Sequence, residues 1–368
     1  MQQSLQRVIA AYDLGEVQSV APFGNGHIND TYLVKAGKEE YVLQRINTDV
    51  FKEPIGLMEN VCAVTEHIAA RIRARVGNPA RETLKVALTR DGQSYFWDES
   101  GFWRMTVHIP NSVSHDTADN PAMLESAGRA FGAFVMDLGD FPADTLHETI
   151  PLFHHTPNRL RQFREAIDGD AAGRAQDVQA EIAAVLAFES ETSWLTDRLA
   201  DGRLPLRVTH NDTKLNNILF DAATDEGMCV IDLDTVMPGL LAYDFGDAIR
   251  VAANTADEGD PDVSHVAVDL EKFAAFTRGI LSAVPEVITE NEVQSLVMGA
   301  KLMTWEVASR FLADYLNDDV YFRIHYPTQN LDRARNQIAL VQSIHAHQAE
   351  MEAIVADIWR QVKSEGKA

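Results

Sequence analysis

The chain is poor in cysteine: Cys62 and Cys229 are the only two in 368 residues, and they form neither a CxxC pair nor a zinc-ligand cluster. A disulfide framework or a cysteine-bound metal is therefore not indicated. Basic residues are also few, with 32 Lys and Arg against 55 Asp and Glu and a formal net charge of −23. Such a surface repels phosphate backbones and anionic headgroups, so no nucleic acid and no membrane is expected as a partner. No apolar run approaches the roughly 18 residues that cross a bilayer. The stretch from Met1 to Tyr12 lacks the cationic and apolar segments of a signal peptide, and its Leu5, Val8, Ile9 and Tyr12 recur at helical spacing instead. A cytoplasmic protein is the expectation. There is no HExxH pair, His154 and His155 being adjacent, and no G-x-x-x-x-G-K-[ST] loop, which argues against zinc hydrolases and P-loop folds.

Hydrophobic residues make up 46% and charged residues 24%, the balance of an ordinary globular protein. The length allows about two domains at roughly 150 residues each. Strand signals rich in β-branched and aromatic residues fall at 17–22, 31–34, 41–46, 83–88, 95–97 and 103–109, interrupted by one helical stretch over 54–76. They predict a small, mainly antiparallel sheet with one helix on its face, a lobe spanning residues 1–110. From Pro121 the periodicity turns helical, with Leu124, Ala127, Phe131, Phe134, Val135 and Leu138 on one stripe. Further helices are expected at 158–167, 177–199, 266–281, 290–316 and 331–362, with short strands only at 206–209, 218–220 and 228–231. The fold class is α+β: a small antiparallel-sheet N-lobe joined through His108–Asp116 to a mainly helical C-lobe, residues 111–368.

The chemistry concentrates in Thr209-His210-Asn211-Asp212-Thr213-Lys214-Leu215-Asn216-Asn217, followed by Ile231-Asp232-Leu233-Asp234. In kinase catalytic loops an Asp takes the proton of the acceptor hydroxyl and an Asn five residues later binds metal, the spacing of Asp212 and Asn217 here. Phosphoryl transfer has a loose transition state, so the protein chiefly positions the hydroxyl and neutralises charge. Lys214 is placed to meet the transferring phosphoryl group, and Asp232, ending a strand, to bind Mg²⁺. Oxygen ligands of this kind suit that ion and leave room for water and phosphate. Turn-capping Asp and Asn would be the ordinary reading of an isolated HxD, but the full D-x-K-x-x-N with its flanking strands favours a two-lobed, protein-kinase-like fold.

The first lobe supplies a partner element in Phe23-Gly24-Asn25-Gly26-His27-Ile28-Asn29-Asp30, a turn between two strands with glycines at Gly24 and Gly26. The lysine expected on the third strand is absent: Gln44 occupies its place, so either Gln44 makes a neutral contact with the nucleotide or Arg45 supplies charge through a bulge. Glu59 and Glu66 on the following helix are candidates for the matching carboxylate. Tyr243-Asp244-Phe245-Gly246-Asp247 spells DFG but follows Pro238-Gly239, so Asp244 or Asp247 is expected to brace the catalytic loop or to cap a helix starting near Ala248. Glu306, Arg310 and Asp314 recur every four residues, a spacing that reads as a solvent-facing salt-bridge stripe.

These segments together resemble the N-acetylhexosamine 1-kinases, within the aminoglycoside phosphotransferase and choline kinase branch of the protein-kinase-like fold. The resemblance rests on THNDTKLNNILFD at 209–221, IDLDTVMPGLLAYDFGD at 231–247, RFLADYLNDDVYF at 310–322 and FGNGHIND at 23–30. It implies ATP- and Mg²⁺-dependent phosphorylation of the anomeric hydroxyl of N-acetylglucosamine or N-acetylgalactosamine. It further implies Asp212 as base with Lys214 beside it, Asn217, Asp232 and Asp234 as metal residues, and backbone groups of Val107 and Ile109 at the adenine. His27, Arg310 and Tyr321, with Asp212, would contact the sugar, and Trp305, Phe311 or Tyr321 would provide an aromatic face. The partners implied are a small sugar and a nucleotide, and the chain would be a monomer or small homo-oligomer. Another small alcohol as acceptor, such as a hexosamine, choline, homoserine or an aminoglycoside, and a catalytically silent kinase-fold scaffold remain the alternatives.

Overall fold

A computed structural model describes residues 2–24, 28–118 and 120–366. The chain forms two compact units: the first takes residues 1–114, 140–151 and 218–238, and the second takes the remainder. The first unit opens with α1 (Gln2–Ala10), β1 (Val17–Pro22), β2 (Asp30–Ala36) and β3 (Glu39–Ile46), continues through α2 (Pro54–Ala74) and α3 (Pro79–Glu82), and closes its first segment with β4 (Phe96–Asp98), β5 (Gly101–Val107) and β6 (Ser112–Val113). The chain then enters the second unit through α4 (Pro121–Asp137), α5 (Thr156–Gly169), α6 (Gln179–Leu186), α7 (Trp194–Ala200) and β7 (Arg207–Thr209). It returns to the first unit for β8 (Ile218–Asp221) and β9 (Gly227–Val230). The second unit is completed by α8 (Leu241–Ala252), α9 (Leu270–Ala283), α10 (Glu290–Leu316), α11 (Gln329–Ala346) and α12 (Gln348–Glu365).

The main sheet has the order β1-β2-β3-β5-β4, antiparallel throughout. Its register places Gln44 opposite both Thr31 and Arg104. Val8, Ile9 and Tyr12 of the N-terminal segment bury against Val34, Leu43, Trp103 and Met105, which explains the helical spacing at the N-terminus. α2 starts with Pro54, whose fixed φ suits the first helical turn, and buries Leu57, Val61, Val64, Ile68 and Ile72 along one stripe. A smaller sheet, β6-β8-β9, holds the hairpin that precedes Asp232. Arg81 of α3 donates to the carbonyls of Pro110 and Asn111 and to Asp221 at 2.7 Å, tying the connector to that hairpin.

In the second unit α10 runs through the centre with α8, α11, α5 and α12 against it, and α4 packs on α9. α10 begins at a capping box: the Glu292 amide donates to the Thr289 hydroxyl and the Thr289 amide to the Glu292 carboxylate. The same carboxylate accepts from Arg207 at 2.6 and 2.9 Å, fastening the strand before the 210–217 loop to the helix start. α8 and α10 cross where Gly246 faces Gly299, and a methyl group on Gly299 would lie 2.2 Å from the Ala242 carbonyl oxygen.

Several expected elements differ in detail. The segment 83–88 makes only one isolated bridge to Thr106, so it is not a strand of the sheet. The helix expected over 177–199 is broken into α6, α7 and short 3₁₀ turns, and the one over 331–362 is interrupted at His347. α8 begins at Leu241, seven residues before Ala248, with Asp244 and Asp247 inside it and not at its cap. Among the described residues no helix is long and apolar enough to cross a membrane.

Candidate active site

The loop that carries Asp212 leaves β7 at Thr209 and ends in a 3₁₀ turn over Leu215–Asn217. Asp212 receives Lys214 Nζ at 2.8 Å on Oδ1 and Asn217 Nδ2 at 3.1 Å on Oδ2, while the same amide donates to the Asp212 carbonyl at 2.7 Å. Burial pushes the Asp212 carboxyl up, but the Lys214 ammonium and the Asn217 amide outweigh it and hold it below the usual carboxylate range. The negative charge of Asp212 in turn raises Lys214. Both groups are therefore ionised at neutral pH. Because Asn217 spends its NH₂ group on Asp212, its carbonyl oxygen is the atom left for a metal ion.

The residue before Asp212 carries the strain. Asn211 has φ 64°, a left-handed backbone seldom taken by residues other than glycine. It is held from α8: Asp244 accepts the amides of His210 at 2.9 Å and Asn211 at 2.7 Å, and Asp247 accepts the Thr213 amide at 3.0 Å. Arg250 in turn donates to Asp247 at 2.9 Å. Burial drives the Asp244 carboxyl up, against the hydrogen bonds that favour its charged form. The DFGD segment is thus a brace under the loop.

In the first unit the expected phosphate-side residues occupy three settings. Gly24 has φ 75°, as a turn between β1 and β2 needs, while Gly26 and His27 lie outside the described residues. Gln44 Oε1 accepts from Arg104 Nε and Nη2 at 3.0 and 2.8 Å, and Arg104 forms a buried ion pair with Asp234. Asp234 also accepts from Asn29 at 2.7 Å. The cation beside Gln44 is therefore Arg104, directly across the ladder on β5, which sequence reasoning missed because the pairing register is not written in either strand. The β3 register runs without a bulge through Arg45, whose half-exposed side chain approaches Asp30 at 3.5 Å. The partner carboxylate comes from Asp234, not from α2: Glu59 is exposed and pairs with His147, and Glu66 is exposed.

Asp232 is exposed with φ 58° and precedes the 3₁₀ turn that carries Asp234. Among the described residues no group of three or more His, Cys, Asp or Glu gathers as a metal cage. Mg²⁺ commonly takes one or two protein oxygens together with waters and phosphates, and Asn217 in the second unit and Asp232 in the first each carry an oxygen of that chemistry. Asp234 is a different case, since its two oxygens are already engaged by Arg104 and Asn29. At the connector, the Val107 amide donates to Lys85 and the His108 amide to Glu40, both at 2.9 Å. The Ile109 amide has no hydrogen-bond partner among the described residues, and the residue is buried.

The α10 residues are not a solvent stripe. Glu306 is fully buried, Asp314 is 4% exposed, and Asp314 accepts the amides of Tyr321 and Phe322 at 2.8 and 2.9 Å, shaping the loop after the helix. Arg310 lies 5.5 Å from the ring centres of Phe153 and Phe322 and 5.7 Å from that of the exposed Tyr321, with Nη2 3.5 Å from the Tyr321 hydroxyl. Trp305 and Phe311 are buried in the helical core, so neither can offer a face to a sugar; the Trp305 indole donates to the Val185 carbonyl.

A braced loop presenting a paired Asp, Lys and Asn is the equipment of a phosphotransferase. The chain belongs to the phosphotransferase enzyme family, APH, whose family model matches residues 19–276. Among solved structures it is similar to a microcompartment-associated aminopropanol kinase, with 16% identity and a TM-score of 0.64 over 96% of this chain and 99% of that one. It is similar as well to a choline kinase from Cryptosporidium parvum Iowa II, with 11% identity and a TM-score of 0.59 over 92% of each chain. A spectinomycin phosphotransferase in complex with ADP and spectinomycin matches at 14% identity and a TM-score of 0.54, over 93% of this chain and 96% of that one. At these identities the likeness is one of fold: a kinase-like architecture with an antiparallel sheet in the N-terminal region and helices in the C-terminal region.

Proposed function

We propose that the protein is an ATP- and Mg²⁺-dependent kinase that phosphorylates the anomeric C1 hydroxyl of N-acetylglucosamine or N-acetylgalactosamine. The observation that carries the phosphotransfer is the Asp212–Lys214–Asn217 constellation on its braced loop. The sugar oxygen attacks the γ-phosphorus, the bond to the ADP oxygen breaks, and the hydroxyl proton passes to Asp212. A base of low pKa serves because the proton moves late in a loose transition state. Lys214, with three donors, can keep one on Asp212 and turn another to the phosphoryl oxygens. Asn217 and Asp232 would hold Mg²⁺, which neutralises phosphate charge. Gly24, Gln44, Arg104, Val107 and Ile109 would serve the nucleotide, with the Ile109 amide as the donor to adenine.

The acceptor reading rests on the sequence motifs and is supported by the charge around Arg310. Phe153, Tyr321 and Phe322 resemble an aromatic cage, but it already contains the Arg310 guanidinium, with Arg159 close by. A cationic amino alcohol would meet positive charge there, whereas a neutral N-acetyl sugar would find donors and a ring face. ADP release should be measured with N-acetylglucosamine, N-acetylgalactosamine, glucosamine, galactose, choline, homoserine and kanamycin. Turnover confined to the two N-acetylhexosamines is expected. Turnover on choline or kanamycin alone would keep the mechanism and overturn the acceptor, and ATP binding without turnover on any of them would favour a scaffold.

A further inference from the structure

His154 is buried in the second unit, outside any role the phosphotransfer needs, and both of its ring nitrogens face acceptors. Nδ1 lies 3.1 Å from Glu306 Oε1, and Nε2 lies 3.0 Å from the carbonyl oxygen of Asn211. A carboxylate and a carbonyl can only accept, so each nitrogen must carry a proton and the ring must be an imidazolium. Asn211 is the left-handed residue before Asp212, and its amide is already held by Asp244. We propose that His154 is a positioning residue for catalysis: kept doubly protonated by Glu306, it grips the Asn211 carbonyl and locks the strained peptide that aims Asp212. The proposal rests on Asp212 being the catalytic base.

The surroundings agree with a permanent charge. Glu306 is fully buried on α10, its Oε2 has no hydrogen-bond partner among the described residues, and Arg159 and Arg310 stand 3.6 Å from Oε1. On α8, Asp244 and Asp247 add negative potential at His154, and the Tyr243 ring packs against it at 5.5 Å. Burial by itself would lower the His154 pKa, yet Glu306, the Asn211 carbonyl and Asp247 together raise it above the ordinary value. Burial likewise pushes Glu306 up, and His154 with the two guanidiniums brings it below the ordinary value. A raised imidazolium pKa means that the doubly protonated, charge-assisted grip is complete below about pH 6.5 and that the ring gives up its second proton only as pH climbs through the folded value.

The test combines nitrogen NMR of the histidine rings, amide hydrogen exchange and kinetics on the full chain. In the wild type at pH 7.5 both His154 nitrogens should read as protonated, and in Glu306→Gln the ring should become neutral. His154→Gln should speed exchange of the amides over residues 209–217 by about tenfold while leaving α9 and α11 unchanged. With the accepted sugar, kcat of His154→Gln should fall by about 10- to 100-fold with the KM for ATP within about twofold. Glu306→Gln, which leaves the ring neutral and its bond to the Asn211 carbonyl without charge assistance, should lower kcat by less than His154→Gln does, with the KM for ATP again within about twofold. A singly protonated His154 in the wild type, or unchanged loop exchange in a folded His154→Gln protein, would overturn the proposal. If no acceptor is turned over at all, the base assignment fails separately, because the NMR and exchange results do not depend on activity.

Discussion

At the scale of single residues, function and stability separate cleanly. Asp212→Asn removes the proton acceptor and keeps the shape, so kcat should drop by about 10²- to 10⁴-fold while equilibrium binding of Mg-ATP is preserved; titration calorimetry beside steady-state rates checks both halves. Arg104 and Asp234 form a buried pair, and removing one partner leaves the other charge stranded. Asp234→Asn should therefore cost about 3 kcal/mol in urea denaturation. A loss under about 0.5 kcal/mol, the scale of an ordinary surface substitution, would show that the pair is not a structural anchor. The Asp212–Lys214–Asn217 cluster was legible because its residues are contiguous and close in the chain, and the structure brings them into contact. Arg104, Glu306 and His154 were not, since their partners lie 130, 152 and 57 residues away along the chain and are chosen by packing.

At the scale of elements, the brace under the loop depends on how closely α8 approaches α10. Gly299→Ala would drive a methyl group against the Ala242 carbonyl, and overpacking of this kind costs about 1–3 kcal/mol. Because α8 carries Asp244 and Asp247, the variant should also lose kcat at temperatures where it is still folded; a lower melting temperature with unaltered kcat would detach the brace from catalysis. Strands and helices with strong periodicity, such as β3 and α10, stood out in the sequence. The interruption at His347 did not, because no proline or glycine marks it and the His347 ring instead contacts the Ser343 carbonyl, 2.9 Å away. The α10 stripe of Glu306, Arg310 and Asp314 misled for a related reason. Charged residues at helical spacing normally face water, and only the surrounding helices show that this face is inside.

At the scale of the whole chain, the net charge of −23 sets a further expectation. Self-repulsion destabilises the compact state, and salt screens it over a Debye length of about 10 Å at 0.1 M. The melting temperature should rise between about 0.02 and 0.5 M KCl, by calorimetry; a fall would mean that attractive pairs outweigh the repulsion. Composition and pattern conveyed the architecture, an antiparallel sheet followed by helices, and the family follows from the match over residues 19–276. The acceptor is the property least visible in pattern, because a small alcohol is recognised by a handful of groups that need not be neighbours in the chain. The most direct measurement is the phosphorus NMR spectrum of the product formed from Mg-ATP and N-acetylglucosamine. A sugar phosphate doublet coupled to the anomeric proton, absent with Asp212→Asn, is the predicted result. A phosphate coupled to the two C6 protons, or inorganic phosphate alone, would contradict it.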